Sequence, residues 1–245
     1  MTHRVPLIVA AFAAVGLFAQ EKPAFDVASV KPATRGGSDF RTYPGGRLHI
    51  ANLPLDVIIR QAYAVKHYQL TGGPSWLHTD EFDIEAKAVG EPSRAQMMAM
   101  LQTLLADRFQ LKVHRETREQ NIYALTVAKN GPKLTPSTAA EFFIRLDRNT
   151  PRELPGVDYT IAGQKATLAQ IAEGLGDNQL DRPVLDRTGI PGEFDFKLRY
   201  AIDDNPDTGP SIFAAIQEQL GLKLEAARGP VAILVIEKAE KPSGN

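Results

Sequence analysis

Two stretches of the chain share one short phrase, Phe82-Asp83-Ile84-Glu85-Ala86-Lys87 and Phe194-Asp195-Phe196-Lys197-Leu198-Arg199. In each, apolar and charged side chains alternate, the pattern of a strand with one face in a core and the other in water. Upstream of each lies a turn-rich segment, Gly72-Gly-Pro-Ser-Trp76-Leu-His78 in one case and Arg182-Pro-Val-Leu-Asp186-Arg-Thr-Gly189-Ile-Pro-Gly192 in the other. Further back, Leu55, Ile58, Ile59, Ala62 and Tyr63 recur at helical spacing, as do Leu168, Ile171, Ala172 and Leu175. Asn52 with Pro54, and Thr167, are the start signals. Each helix is preceded by a short alternating stretch, Leu48-His-Ile-Ala-Asn52 or Tyr159-Thr-Ile-Ala-Gly163.

Downstream the correspondence continues. Ser93 and Ser211 each follow a proline and each opens an apolar helical pattern: Met97, Met100, Leu101, Leu104 and Leu105 in the first, Ile212, Phe213, Ile216 and Leu220 in the second. A serine hydroxyl is a good acceptor for an orphan N–H at a helix start. Leu111-Lys-Val113 and Leu222-Lys-Leu224 then open strands, and Ile122 to Val127 and Val231 to Ile236 close the two series. Five landmarks in one order point to an internal repeat. The expected fold class is α+β. It has two similar tandem halves, residues 24–131 and 158–242, each a small, mostly antiparallel sheet with two helices on one face. The order in each half reads β-α-β-α-β-β, with room for one more short strand ahead of Phe-Asp. Phe25-Asp-Val-Ala-Ser-Val30 repeats the signature a third time and reads as an added strand. Residues 132–157, with Pro132, Pro136, Pro151 and Pro155, read as a linker that docks through Phe142, Phe143 and Ile144.

The composition narrows the function classes. The 245 residues are 43% hydrophobic and 23% charged, with 28 basic against 29 acidic side chains. That balance gives no electrostatic footprint for nucleic acid and no charged interaction tail. The absence of cysteine removes disulfides, thiolate metal sites and a thiol nucleophile. Residues 1–19 carry Arg4, then an apolar run from Val5 to Ala19, and end before Gln20-Glu-Lys22. A cationic start, a short apolar middle and a small residue at the exit describe a signal peptide cleaved after Ala19. The run is shorter than the roughly 20 residues a spanning helix needs. The expected address is therefore outside the inner membrane, in the periplasm or beyond, with no integral span after cleavage and no lipid anchor, since no cysteine follows.

The set Phe-Asp-Val-Ala-Ser-Val-Lys-Pro32, Gly-Gly-Pro-Ser-Trp76, Phe-Asp-Ile-Glu-Ala-Lys87, Leu-Leu-Ala-Asp-Arg-Phe109, Arg-Pro-Val-Leu-Asp-Arg-Thr-Gly189 and Gln-Glu-Gln-Leu-Gly-Leu-Lys-Leu-Glu225 resembles one family. It is the large paralogous family of exported acidobacterial proteins of unknown function, and the likeness runs from about Phe25 to Pro242. Related domains stand behind the membrane peptidase of beta-lactam-sensor-type proteins, which implies an extracytoplasmic sensing or binding role. The family offers no catalytic residues to carry over. The second half is also similar in element order to the N-terminal domain of secretins and TonB-dependent receptors, which docks to partners.

Motifs for chemistry are sparse. The chain has no nucleophile elbow, no phosphate-binding Gly-x-x-x-x-Gly-Lys and no His-Glu-x-x-His. His49, His67, His78 and His114 are dispersed, so no metal site is expected, and no cofactor. Asp203-Asp-Asn205-Pro-Asp207-Thr-Gly209 imitates a calcium loop, yet counting from Asp203 it lacks the glycine at the sixth position and the glutamate at the twelfth. Asp80/Glu81 and Asp83/Glu85 are the carboxylate pairs a hydrolase would need, and Asp186-Arg-Thr-Gly189 reads as a turn. The leading expectation is a non-enzymatic protein that binds a protein, a peptide or an envelope component. Its candidate ligand-binding residues are Tyr63, His67, Tyr68, Trp76 and His78, an aromatic and histidine group that the second half lacks. An envelope hydrolase or metal-dependent enzyme with an unrecognised site is the alternative. Tyr63 and Trp76 have a second reading, completion of the core.

Overall fold

A computed structural model describes residues 22–34, 36–148, 159–178, 180–201 and 209–242. Residues 1–19, read from sequence as a signal peptide, and the acidic run at 203–207 lie outside them. In chain order the elements are β1 (Val27–Pro32), β2 (Asp39–Tyr43), β3 (Arg47–Pro54), α1 (Leu55–Tyr63), β4 (Leu70–Gly72), β5 (Glu81–Lys87), α2 (Arg94–Arg108) and β6 (Lys112–Val127). The second half runs β7 (Thr135–Pro136), β8 (Phe143–Arg148), β9 (Tyr159–Ala166), α3 (Leu168–Asn178), β10 (Val184–Asp186), β11 (Phe194–Tyr200), α4 (Ile212–Ala215) and β12 (Leu222–Lys238).

The fold is α+β, with the two halves built to one plan. The first sheet has strand order β1-β5-β3-β2 and the second β7-β11-β9-β8, both antiparallel. β1, read from sequence as an addition, therefore holds the place that two-residue β7 holds in the other half. The stretch read as a linker supplies β7 and β8, the two outer strands of the second sheet, and Ile144 packs on the second core.

Local chemistry explains the helices. Ser93 Oγ accepts the N–H of Gln96 while the Gln96 side chain accepts the N–H of Ser93, a reciprocal box that starts α2. Thr167 and Gln170 form the same box at α3, and Ser211 caps α4 through the N–H of Ala214. α1 starts at Pro54 with no side-chain cap, and Asn52 serves a different purpose, described below. α4 continues as a π-helical turn from Ile216 to Leu220. Phe213, expected inside, is 42% exposed and meets the ring of Tyr123 edge-on at 5.3 Å.

The main departure from the sequence reading concerns the closing strands. Lys112-Val113 and Ile122–Val127 belong to one long strand, β6, with Leu111 just ahead of it, and the corresponding segments of the second half form β12. Neither returns to its own half's sheet. They pair with each other, antiparallel, from Leu222↔Val127 to Lys238↔Lys112, with Glu119 opposite Pro230 at the middle. The short strands cross over as well: β4 of the first half lies parallel to Leu234–Ile236 of β12, and β10 of the second half parallel to Tyr123–Leu125 of β6. The third sheet, β10-β6-β12-β4, is thus shared, and its two flanks are related by the same pseudo-twofold arrangement as the ribbon.

The cores follow that exchange. Leu48, Ile50, Phe82 and Ile84 of the first sheet pack with Ile58, Ile59, Leu101 and Leu105 of α1 and α2, and Leu234 and Ile236 from β12 join them. Ile161, Phe196 and Leu198 pack with Ile171, Leu175 and Ile216, together with Leu222 from β12 and Leu125 from β6. A small satellite of Ile122, Val231 and Ile233 lies on the shared sheet. Burying each such aliphatic side chain contributes about 1.5–3 kcal/mol, so each half depends on the other for part of its core.

Candidate functional site

The five residues singled out from sequence fall into separate neighbourhoods. Tyr63 ends α1, packs against the first core, and its carbonyl accepts Arg115 Nη2 at 3.0 Å. Burial pushes its phenol pKa up, and nearby Arg115 only partly offsets this. His67 and Tyr68 form a one-turn 3-10 segment whose rings meet edge-on at 5.2 Å. Gln69 pins this turn to the ribbon by donating Nε2 to the carbonyl of Ala232 at 3.1 Å. Trp76 and His78 share a second 3-10 turn, Ser75–His78, with different contacts. Trp76 packs on the first core, its ring 6.3 Å from that of Phe82 and 5.7 Å from Lys241 Nζ. His78 Nδ1 lies 3.3 Å from Asp56, which also holds Arg60 at 3.6 Å. His67 and His78 have different partners, and among the described residues no group of three or more metal-binding side chains occurs.

Tyr68 leads to a cleft. It lines a cavity of about 500 Å³ together with Glu119 and Asn121 of β6, Arg228 of β12, and Asp181 and Arg182 just before β10. Tyr68 stands two residues ahead of β4 and Arg182 two residues ahead of β10. They are counterparts in the two halves, brought into one cleft by the crossing of the short strands near the Glu119–Pro230 midpoint. Clefts where structural units meet are common ligand sites.

The cleft's charges are fixed by local geometry. Arg182 Nη2 binds Asp181 at 2.7 Å, and the guanidinium sits 4.8 Å from the centre of the Tyr123 ring. Hydrogen bonding from Arg182 holds the Asp181 carboxyl below the ordinary carboxylate range, so it stays ionised and is a poor proton donor. Arg228 Nη2 reaches the carbonyl of Glu119 at 3.3 Å, leaving donor capacity on the remaining N–H groups of its fork. A phenol, the amides of Gln120 and Asn121, two guanidiniums and two carboxylates suit hydrogen bonding to a polar chain. The sequence reading missed Glu119, Asn121, Arg182 and Arg228. A signal existed for Arg182, which stands in the second half where Tyr68 stands in the first.

The other candidates from sequence have structural partners. Asp83 accepts the N–H of Asn52 at 2.9 Å, and Glu85 binds His49 at 2.5 Å. Asp80 is bound by Lys241 at 2.6 Å. His114 binds Glu237 across the ribbon at 2.6 Å. Asp186 accepts the N–H and the hydroxyl of Thr188, which makes Asp186–Gly189 the turn its composition suggested. Among the described residues no helix is long and apolar enough to cross a membrane.

Fold and cleft together define an α+β protein of two similar halves joined by a shared ribbon, with a polar site at the join. The chain belongs to the family described as protein of unknown function (DUF3738), whose model matches residues 56–239. The match begins one residue into α1, so β1 to β3, which complete the first sheet, precede it. No curated protein and no solved structure matches the chain.

Proposed function

We propose that the chain is an exported, non-enzymatic binding or sensing protein of the bacterial envelope, and that the cleft between its halves receives a polar segment of a protein, a peptide or an envelope component. The observation that carries this reading is the placing of Tyr68, Arg182 and Arg228 around one open, polar cavity of about 500 Å³. A flat phenol ring with free guanidinium N–H groups beside it is a common hot-spot composition for binding. Export rests on residues 1–19 and their match to the cleavable pattern.

The test uses the full chain as it is exported. Wild type and the Arg228→Ala and Tyr68→Ala variants are immobilised and exposed to envelope extract, and captured species are compared. A species retained by wild type and lost by both variants supports the cleft. Retention by all three, or turnover of a substrate with no retained partner, refutes it. N-terminal sequencing of the exported protein checks the address: a start at Gln20 is expected, and a start at Met1 overturns it.

A further inference from the structure

The outer faces of the two antiparallel sheets carry equivalent rows of side chains with different chemistry. On the first sheet, Arg41 pairs with His49 and His49 with Glu85, so three side chains form one cross-strand row. The imidazole fills the middle of that row, and its Nδ1 meets Glu85 at 2.5 Å. The same register on the second sheet sets Arg145 opposite Ala162 and Ala162 opposite Lys197. An acid has become a base and the central imidazole a methyl group.

Directly opposed residues on adjacent strands point to the same face. Two strand spacings put the Cα atoms of Arg145 and Lys197 about 10 Å apart, so two cationic side chains flank a space over Ala162. That space is a trough of about 500 Å³, lined also by Phe143, Asp147, Thr160 and Asp195. Arg145 is held by Asp147 at 3.0 Å, and its guanidinium lies 5.6 Å from the centre of the Phe143 ring. Lys197 has no carboxylate within ion-pair distance among the described residues. On the first sheet the equivalent space is occupied and its charge neutralised from within. On the second the equivalent space is open, with Lys197 in its lining.

We propose that this trough binds a small organic carboxylate with a flat apolar part. The carboxylate sits over Ala162 between Lys197 and the guanidinium of Arg145, and the flat part lies against Phe143. Of the charged groups lining the trough, Asp147 is engaged by Arg145 and Asp195 by the N–H of Lys165, so the ammonium of Lys197 is what draws an anion of one charge, and the methyl of Ala162 leaves room that an imidazole would take. The site lies on the second sheet, apart from the cleft at the ribbon, so it would serve a second ligand.

The experiment titrates the full chain with benzoate by calorimetry and by backbone amide shifts, with benzyl alcohol as the uncharged control. A ligand of this size binds with a dissociation constant of about 1 mM. Shifts clustered on β8, β9 and β11 are expected, with none from benzyl alcohol. The double variant Ala162→His/Lys197→Glu rebuilds the row already folded on the first sheet, and should lose benzoate by at least about tenfold while Tyr68→Ala leaves it unchanged. Should the double variant not fold, Lys197→Gln, which keeps most of the stem and removes the charge, should weaken binding about fivefold or more. No binding by wild type, shifts elsewhere, equal response to benzyl alcohol, or undiminished binding by a folded row variant each overturns the proposal.

Discussion

Asp83 Oδ1 accepts the backbone N–H of Asn52 at 2.9 Å, and in the second half Asp195 Oδ1 accepts that of Lys165 at 3.1 Å. Asn52 and Lys165 are non-glycine residues at positive φ, 46° and 52°, each beside a register shift between the central strand and its Phe-Asp neighbour. The repeated Phe-Asp is therefore a two-part device. The phenyl ring enters the core, and the next carboxylate holds a strained bulge that carries the chain into the following helix. Asp83→Ala should cost about 1–3 kcal/mol, the worth of a hydrogen bond to a charged group, with Asp195→Ala similar and the double variant additive. Glu85→Ala, on the same strand but bound only to exposed His49, should cost under about 1 kcal/mol. Urea unfolding of the four variants measures all of this. Equal losses for Asp83 and Glu85 would remove the special role of the bulge.

Gln110 and Gly221 occupy equivalent positions between the second helix of each half and the long strand, at φ of 49° and 65°. They differ in surroundings. A Cβ on Gly221 would run into the carbonyl of Gly131, so both conformation and space demand glycine. Gly221→Ala should cost about 2–4 kcal/mol, from left-handed strain plus overpacking. Gln110→Gly relieves the same strain but gives up the exposed bond from Gln110 Nε2 to the Asp107 carbonyl at 3.0 Å, and with the unfolded-state entropy of glycine also opposing the gain it should fall within about 1 kcal/mol of neutral. Thermal unfolding of both variants decides it, and destabilisation by Gln110→Gly beyond that range would count against strain as the operative cause.

Tyr200 and Tyr63 respond to alkaline pH. Burial raises both phenol pKa values, and in Tyr200 neighbouring Tyr159, stacked at 5.7 Å, raises it further. The folded state thus keeps these protons where the unfolded chain gives them up. The contribution of these two phenols to stability should be fully present below about pH 10, the ordinary tyrosine value, and be lost as pH rises beyond it toward the folded-state values. Phenolate absorbance, followed against circular dichroism, should show Tyr63 and Tyr200 ionising late or together with unfolding. All six tyrosines titrating with one ordinary pKa would contradict the burial.

The α+β class, the helix starts at Ser93, Thr167 and Ser211 and the alternating Phe-Asp strands were legible because each is encoded within a few residues. The exchange of closing strands was not. On β12 Leu222 serves the second core while Leu234 and Ile236 serve the first, yet all three belong to one alternating pattern that names no partner. Gly229-Pro230 looks like a turn in sequence, and the ladder runs straight through it opposite Gln120 and Glu119. The site shared that fate. Tyr68 was visible as an aromatic beside a turn, but Arg182 and Arg228 become its neighbours only once β4 and β10 have crossed between halves.

The same exchange makes a strong claim about cooperativity. A fragment ending at residue 131 contains every landmark of the first half, yet it lacks β12. It would leave both sides of sixteen-residue β6 unpaired, since β10 and β12 both lie beyond residue 131, and the spaces of Leu234 and Ile236 empty in its core. Losing a buried Leu or Ile side chain to a cavity costs about 2–5 kcal/mol, against a total stability of about 5–15 kcal/mol for a typical domain. Residues 24–131 alone should therefore show little sharp thermal transition and bind hydrophobic dye, and the fragment 132–242, missing β6 and Leu125, should do the same. Mixed, the two should regain one cooperative transition and dispersed amide signals, because the ribbon and both crossings can then form between chains. In the intact chain urea unfolding should be a single transition seen alike by Trp76 fluorescence, which reports the first half, and by near-ultraviolet signals of Tyr159 and Tyr200, which report the second. Independent folding of residues 24–131, with a sharp transition of its own, would show that the shared ribbon is an accessory to two self-sufficient domains.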